Sequence, residues 1–176
     1  MISPVLILPG HGGSGPKHWQ SLWELSNPDF ERIHQRDWDK PVCEEWVAVI
    51  EAAVSRIGPR VVLVAHSLAC LAVAHWAAHS HAPIQAALLV AVPDPAKPIF
   101  PAEAVGFSST PMCPFTFRST VVVSSDDPYA SLELSARLAK AWGSHLINIG
   151  NCGHINSNSN LGAWAQGYEL LEQLRG

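Results

Sequence analysis

The feature that most constrains the fold is a series of short, almost wholly apolar runs separated by longer segments of mixed polarity. The apolar runs occupy residues 4–8, 60–65, 84–92, 119–125 and 145–150, and a weaker run covers 30–35. A strand that is apolar on both faces has to be covered by helices on both sides, which is typical of parallel sheets. We therefore predict an α/β fold, a three-layer α/β/α sandwich whose mainly parallel sheet has about six strands.

The segments between these runs carry apolar residues at helical spacing. We predict helices over 16–25, 41–57, 68–79, 129–142 and 161–174. The first should begin with Pro16 in its first turn, and the second should stop at Gly58-Pro59. The proline-rich stretch from Pro93 to Pro114 predicts a loop with at most one short helix. No segment inserted between the predicted elements is long enough to form a cap domain. We therefore expect this loop to cover the site.

Length and charge narrow the classes of function. The 176 residues, 48% of them hydrophobic, suit one domain spanning 1–176, and the formal charge of −4 with scattered basic residues argues against a nucleic-acid partner. No apolar stretch approaches the roughly 20 residues that span a bilayer. The N-terminal segment lacks the basic leader of a signal peptide, and the four cysteines form no C-x-x-C pair. We expect a cytoplasmic protein without a membrane partner.

Polar clusters follow four of the predicted strands at the point where each strand ends. They are Gly10–Gly13, His66-Ser67, Asp126-Asp127 and Cys152–His154. The carboxyl ends of parallel strands meet at one edge of the sheet, where ligands bind in open α/β folds. The four clusters should therefore lie together and form an active site.

The residue types in these clusters fit nucleophilic catalysis. A serine hydroxyl needs a base to take its proton, and the base needs a carboxylate to orient it and to stabilise its cation. Ser67, then Asp126 or Asp127, then His154 follow the chain order Ser, Asp, His of one group of hydrolases. We favour Asp127 as the partner of His154 and expect Asp126 to be a turn or cap residue ahead of Pro128.

The segment A-H-S-L-A around Ser67 resembles the nucleophile elbow G-x-S-x-G, with Ala65 and Ala69 where glycine is usual. Each alanine adds one methyl group where the strand and helix pass closely, so the motif is weakened without being lost. An oxyanion would be held by the backbone N–H of Leu68 and by an N–H of the glycine-rich loop at 9–15, for which His11 is the candidate.

Six segments extend this resemblance nearly end to end: LPGHGGS, HWQSLWE, QRDWDKP, VAHSLACLA, SSDDPY and NCGHIN. Together they resemble the small single-domain α/β-hydrolases related to retinoblastoma-binding protein 9 and its bacterial relatives. The resemblance implies a compact α/β-hydrolase fold without a cap domain, activity on small esters, and a triad of Ser67, Asp127 and His154. Ala69 departs from the glycine that relatives often carry.

Other residues allow more than one interpretation. Trp38, beyond the second strand, is our candidate for the pocket wall, although core packing would also explain it. His66 is expected to be structural. His75 and His79 have the i, i+4 spacing of a metal-binding pair, but no carboxylate completes a site, so we predict neither metal nor cofactor.

The sequence therefore predicts a cofactor-independent serine hydrolase. It would cleave a small-molecule acyl substrate, an ester, thioester or amide, through an acyl-enzyme on Ser67. The alternative is a binding or regulatory protein that keeps the fold without appreciable turnover. The two alanines of the elbow support that alternative, whereas the retained Ser, Asp and His argue against it.

Overall fold

Within residues 2–176, which the computed structural model describes, six strands form one sheet in the order β2-β1-β3-β4-β5-β6. Every neighbouring pair is parallel, which confirms the predicted α/β fold. The strands are β1 Val5–Leu8, β2 Phe30–Arg32, β3 Val62–His66, β4 Ala86–Val90, β5 Arg118–Val123 and β6 His145–Asn148.

The connections supply the helical layers. The helices are α1 Trp19–Ser26, α2 Cys43–Ile57, α3 Leu68–Ala77, α4 Leu132–Trp142 and α5 Ala165–Arg175, and a short 3₁₀ turn covers Ser157–Ser159. None of the helices in the described part of the chain has the length and apolarity needed to cross a membrane.

Two apolar clusters pack on opposite faces of the sheet. Alternate residues of each strand point to opposite sides, so Leu63 joins the cluster under α2, α3 and α4, whereas Val62 and Val64 join the cluster under α1 and α5. Trp19 and Trp23 of α1 lie in the second cluster, as their shared helical face indicates. The result is the predicted three-layer sandwich.

Capping residues shift the helix starts from their predicted positions. α1 begins at Trp19 rather than at Pro16, because the side chain of His18 accepts the N–H of Gln20 and acts as the N-cap. α4 begins at Leu132 because the side chain of Ser131 accepts a helix N–H. Residues 93–117, all of them described, form turns and bends without a helix.

The order of the strands changes direction between β1 and β3, and this opens a crevice at their carboxyl ends. The buried side-chain amide of Gln20, on α1, links the two strands by donating to the carbonyl oxygens of Leu8 in β1 and Val64 in β3, at 3.1 and 3.0 Å. Gly10 follows β1 and Ser67 follows β3, so both lie at this crevice.

Candidate active site

Ser67 occupies a sharp turn between β3 and α3. Its φ and ψ are 54° and −124°, a conformation that residues other than glycine rarely adopt. Two backbone hydrogen bonds hold the turn: the N–H of Ser67 donates to the carbonyl of Val90, and the N–H of Cys70 donates to that of Ser67, both at 2.9 Å. Local strain of this kind, at a serine between a strand and a helix, is the geometry of a nucleophile elbow, which projects the serine side chain from the sheet.

The elbow accommodates both alanines, and the position where only glycine fits is a different one, Gly10. Ala65 and Ala69 are buried in the apolar cluster beneath α2 and α3. A Cβ atom at Gly10, by contrast, would lie 2.7 Å from the carbonyl oxygen of His66 and 3.0 Å from the Cβ of Ser67. The loop after β1 therefore touches the elbow through Gly10, and no larger residue leaves room for that contact.

The three residues predicted to act together are in hydrogen-bonding contact. Ser67 Oγ lies 2.7 Å from Nε2 of His154, and Nδ1 of His154 lies 2.9 Å from both carboxylate oxygens of Asp127. Asp127 and His154 are both buried. A carboxylate can only accept, so Nδ1 carries the hydrogen and Nε2 presents its lone pair to the hydroxyl. This arrangement can remove the proton from Ser67.

Asp126 has a different role from its neighbour. Its Oδ1 accepts the hydroxyl of Ser124 at 2.7 Å and the N–H of Gly153 at 2.8 Å. These two hydrogen bonds, that from Ser124 first, lower the pKa of the Asp126 carboxyl below its ordinary value. Rather than capping the turn at Pro128, Asp126 joins the loop after β5 to the loop that carries His154.

Side chains from two other elements fix the backbone around His154. Nε2–H of His66 donates to the carbonyl of His154 at 2.9 Å, and Nε1–H of Trp19 donates to the carbonyl of Ile155 at 2.8 Å. Burial lowers the pKa of His66 well below its ordinary value, so this imidazole is neutral. The hydrogen bonds from His66 and Trp19 thus fix the position of the His154 backbone, and with it the position of the imidazole relative to Ser67.

Trp38 lies behind the loop after β1, not at the wall of the cavity. Its carbonyl accepts the N–H of Gly12 at 3.0 Å, and a Cβ at Gly13 would meet its ring at 3.0 Å. On its other side the ring packs edge-on against Trp46, with the ring centroids 5.6 Å apart. Because the backbone of Trp38 is tied to the rear of the loop, its ring is not among the described side chains that line the cavity, and the pocket-wall prediction is corrected.

A cavity of about 310 Å³ opens above Ser67, a size that suits a small ligand. Sequence reasoning missed His18, Tyr129, Asn156 and Asn158, which line it together with Phe100 and Pro101. The ring of Tyr129 lies 4.3 Å from that of His154, centroid to centroid. Tyr129 stands two residues after Asp127 in the sequence, and this proximity is the one signal that could have placed it at the cavity. Phe100 and Pro101 belong to the loop that we expected to cover the site.

His75 and His79 are not among the residues that line this cavity. Among residues 2–176, no three His, Cys, Asp or Glu side chains gather in a way that could hold a metal ion. His79 instead turns its Nδ1 towards the carbonyl of His75, at 3.1 Å.

Comparison with known proteins identifies the family. The serine hydrolase family model matches residues 5–173. The chain belongs to the serine hydrolase family. A YdeN-like hydrolase from Pectobacterium atrosepticum is 29% identical, with a TM-score of 0.85 over 97% of this chain and 89% of that one. No curated protein matches the sequence.

More distant structures share the fold. The ydeN gene product of B. subtilis is 20% identical, with a TM-score of 0.79 over 97% of each chain. A thermophilic esterase from Thermogutta terrifontis is 14% identical, with a TM-score of 0.69 over 99% of this chain and 91% of that one. The sandwich described above is thus an α/β-hydrolase fold, and the match to the serine hydrolase family makes the protein a hydrolase.

Proposed function

We propose that this protein hydrolyses small carboxylic esters, thioesters or amides through an acyl-enzyme on Ser67. The observation that carries the proposal is the continuous hydrogen-bonded series from Ser67 through His154 to Asp127, at 2.7 and 2.9 Å, beside a small cavity. Every group needed for acyl transfer is a side chain or backbone amide of this chain. The proposed reaction therefore uses no cofactor.

In the first step Ser67 Oγ attacks the substrate carbonyl while Nε2 of His154 takes the hydroxyl proton. Asp127 stabilises the resulting imidazolium through Nδ1–H. His154 then gives the proton to the leaving group, and the acyl group stays on Ser67. Water deprotonated by the same Nε2 attacks the acyl-enzyme, and proton return to Ser67 releases the acid.

The negative oxygen of each tetrahedral intermediate needs two donors. We assign them to the backbone N–H groups of Leu68 and His11. Leu68 is the first residue of α3, where the helix dipole favours negative charge. The contact of Gly10 with the elbow brings the loop after β1 beside Leu68 N. The N–H groups of Gly12 and Gly13 already donate to carbonyl oxygens, which favours His11 as the second donor.

The cavity supports a small-molecule substrate. Its volume of about 310 Å³ is near the lower end of the range of ligand pockets. Within the family, the segments SSDDPY and NCGHIN favour placing the chain with the retinoblastoma-binding protein 9 type. The alternative of an inactive binding protein depended on the two alanines. We do not propose it, because the elbow keeps its conformation with both of them present.

The test is hydrolysis of p-nitrophenyl butyrate by the wild type and by three variants. Ser67→Ala removes the nucleophile, and kcat should fall by about 10⁴-fold or more. Asp127→Asn should cost about 10⁴-fold, because the amide cannot hold His154 in the required tautomer. Asp126→Asn is the matched control on the adjacent residue, and its loss should stay within about tenfold. A wild-type rate equal to that of Ser67→Ala would refute the function, and equal losses at both aspartates would refute the assignment.

A further inference from the structure

His18 lies where α1 begins, with its imidazole against the site. Its Nδ1 accepts the N–H of Gln20 at 3.2 Å, and its side chain is buried, with the residue only 3% exposed. The ring packs edge-on against His66, with centroids 4.6 Å apart, and His66 packs in the same way against His154 at 5.2 Å. The three imidazoles are therefore in successive contact, and the last of them, His154, contacts Ser67.

The contact with Gln20 decides the tautomer of His18. Since Nδ1 accepts an N–H, it has no hydrogen of its own, and the hydrogen of the neutral ring is on Nε2. Burial, followed by the charges of Arg32 and His154, lowers the pKa of His18 to about 4. The ring is therefore a neutral Nε2–H donor throughout the physiological pH range.

This donor has no acceptor in the part of the chain that the structure describes. Nε2 of His18 is buried and makes no hydrogen bond with any residue of 2–176. Leaving a buried donor unpaired destabilises a protein by about 1–3 kcal/mol, so such a group calls for a structural or functional explanation. His18 is one of the residues that line the cavity beside Ser67 and His154, so a small rotation of its ring would bring Nε2–H within reach of a bound ligand that supplies the acceptor. His66, its neighbour, already uses its Nε2–H on the carbonyl of His154.

The rest of the lining narrows the ligand class. No Lys, Arg, Asp or Glu of the described chain lines the cavity. The nearby guanidinium of Arg32 is paired with Glu24. A free carboxylate or ammonium on the substrate would therefore lose part of its hydration in the cavity without gaining an opposite charge, which is unfavourable. A neutral oxygen can accept the Nε2–H without that penalty.

We propose that His18 is a specificity residue whose Nε2–H binds an oxygen of an uncharged substrate, beyond the carbonyl that Ser67 attacks. The preferred substrate is a small ester carrying an ether, hydroxyl or carbonyl oxygen in its acyl or its alcohol part. The inference rests on the proposed function. A site with a buried donor rejects an analogue that lacks the acceptor, because the donor then stays unpaired.

Two pairs of isosteric esters test this. In the acyl series p-nitrophenyl methoxyacetate is compared with p-nitrophenyl butyrate, and in the alcohol series 2-methoxyethyl acetate is compared with butyl acetate. Each pair exchanges one CH₂ for oxygen. The measured quantity is the ratio of kcat/KM within a pair, relative to the same ratio in the wild type, so that differences in intrinsic reactivity cancel.

Two variants separate the donor from the helix cap. His18→Asn keeps a capping oxygen for Gln20 but loses the ring donor, and His18→Phe keeps the ring volume but loses both. We expect the preference for the oxygen-bearing ester to fall about tenfold in both variants. The series that responds identifies the part of the substrate that His18 binds. His81→Phe, an exposed histidine elsewhere on the surface, should leave both ratios unchanged.

Ratios within twofold of the wild type in both series would overturn the role of His18. A change in His18→Phe alone would also overturn it, since the lost cap would then be the cause. Ester hydrolysis that disappears in Ser67→Ala shows that the proposed function stands independently of these ratios. If the wild type hydrolyses none of the four esters, the proposed function fails, and this inference fails with it.

Discussion

Gly10 is the residue with the least freedom at the site. A side chain there would overlap the carbonyl of His66 and crowd Ser67, and both belong to the elbow. The usual glycines of the elbow lie two residues before and after the serine, but here the close contact is made by the residue that follows the neighbouring strand β1. The position of the loop that carries His11, and with it the oxyanion donor that we propose, depends on this one missing methyl group.

We predict that Gly10→Ala lowers kcat for p-nitrophenyl butyrate by about 10²-fold. The added Cβ, 2.7 Å from the His66 carbonyl, forces the loop away from the elbow and weakens one oxyanion donor. The control is Gly143→Ala at the end of α4, where φ is 71° and no atom lies within 4 Å of an added Cβ. That variant should be less stable by about 1 kcal/mol with unchanged kcat. Equal kcat values in the two variants would contradict the role of Gly10.

At the scale of elements, the elbow depends on how closely α3 packs. Nearly all of α3 is buried between the sheet and α2, and four alanines and a cysteine make up half of its ten residues. Small side chains let a helix approach its neighbours closely, and the methyl groups of Ala65 and Ala69 fill space that glycine would leave open. We infer that alanine stands at both positions because its methyl group improves the packing of α3 against the sheet and α2.

We predict that Ala69→Gly destabilises the fold by about 1 kcal/mol, through lost helix propensity, and changes kcat by less than twofold. Ala69→Val should destabilise by about 1–3 kcal/mol, because the added methyl groups overpack a buried site. Urea unfolding and ester hydrolysis, measured on the same samples, check both results. A large gain of activity in Ala69→Gly would mean instead that alanine restrains the nucleophile.

The strands were predictable because short apolar runs between longer segments of mixed polarity are typical of strands that are buried on both faces. The ends of α1 and α4 were not, since they depend on the side chains of His18 and Ser131, which act only when they meet particular N–H groups. β6 also differs from the pattern of a buried strand: three of its four residues are exposed, because it lies at the edge of the sheet.

The site was predictable to the extent that its residues follow strand ends. Ser67 and His154 could be named from order and position, whereas the choice of Asp127 over Asp126 was a preference that the family resemblance supported. His18 reaches the cavity from the start of a helix, and Trp38 lies behind a loop, so their places depend on packing between distant segments. No short pattern in the sequence encodes such contacts.

At the scale of the whole molecule, two buried neutral imidazoles make stability depend on pH. Folding lowers the pKa of His18 from 6.5 to about 4, chiefly by burial, and lowers that of His66 in the same direction. Between these pKa values the unfolded chain binds more protons than the folded one. The free energy of unfolding therefore falls as the pH falls below about 6.5.

We predict that the wild type loses stability between pH 6.5 and 4.5, with about 2 kcal/mol of the loss due to His18. His18→Asn keeps the helix cap and removes the titrating group, so its loss over the same interval should be smaller by that amount. Urea unfolding at the two pH values measures both. Parallel losses in the wild type and the variant would show that His18 does not contribute.

The central claim is that Ser67 in its alanine-flanked elbow is an activated nucleophile. The most direct measurement is labelling with a fluorophosphonate probe, which reacts with a serine that a neighbouring base activates, followed by mass spectrometry of the labelled peptide. We expect one label on Ser67, none on folded Ser67→Ala, and strongly reduced labelling of His154→Ala. A folded wild type that takes up no label, or a label that persists in Ser67→Ala, would contradict the account.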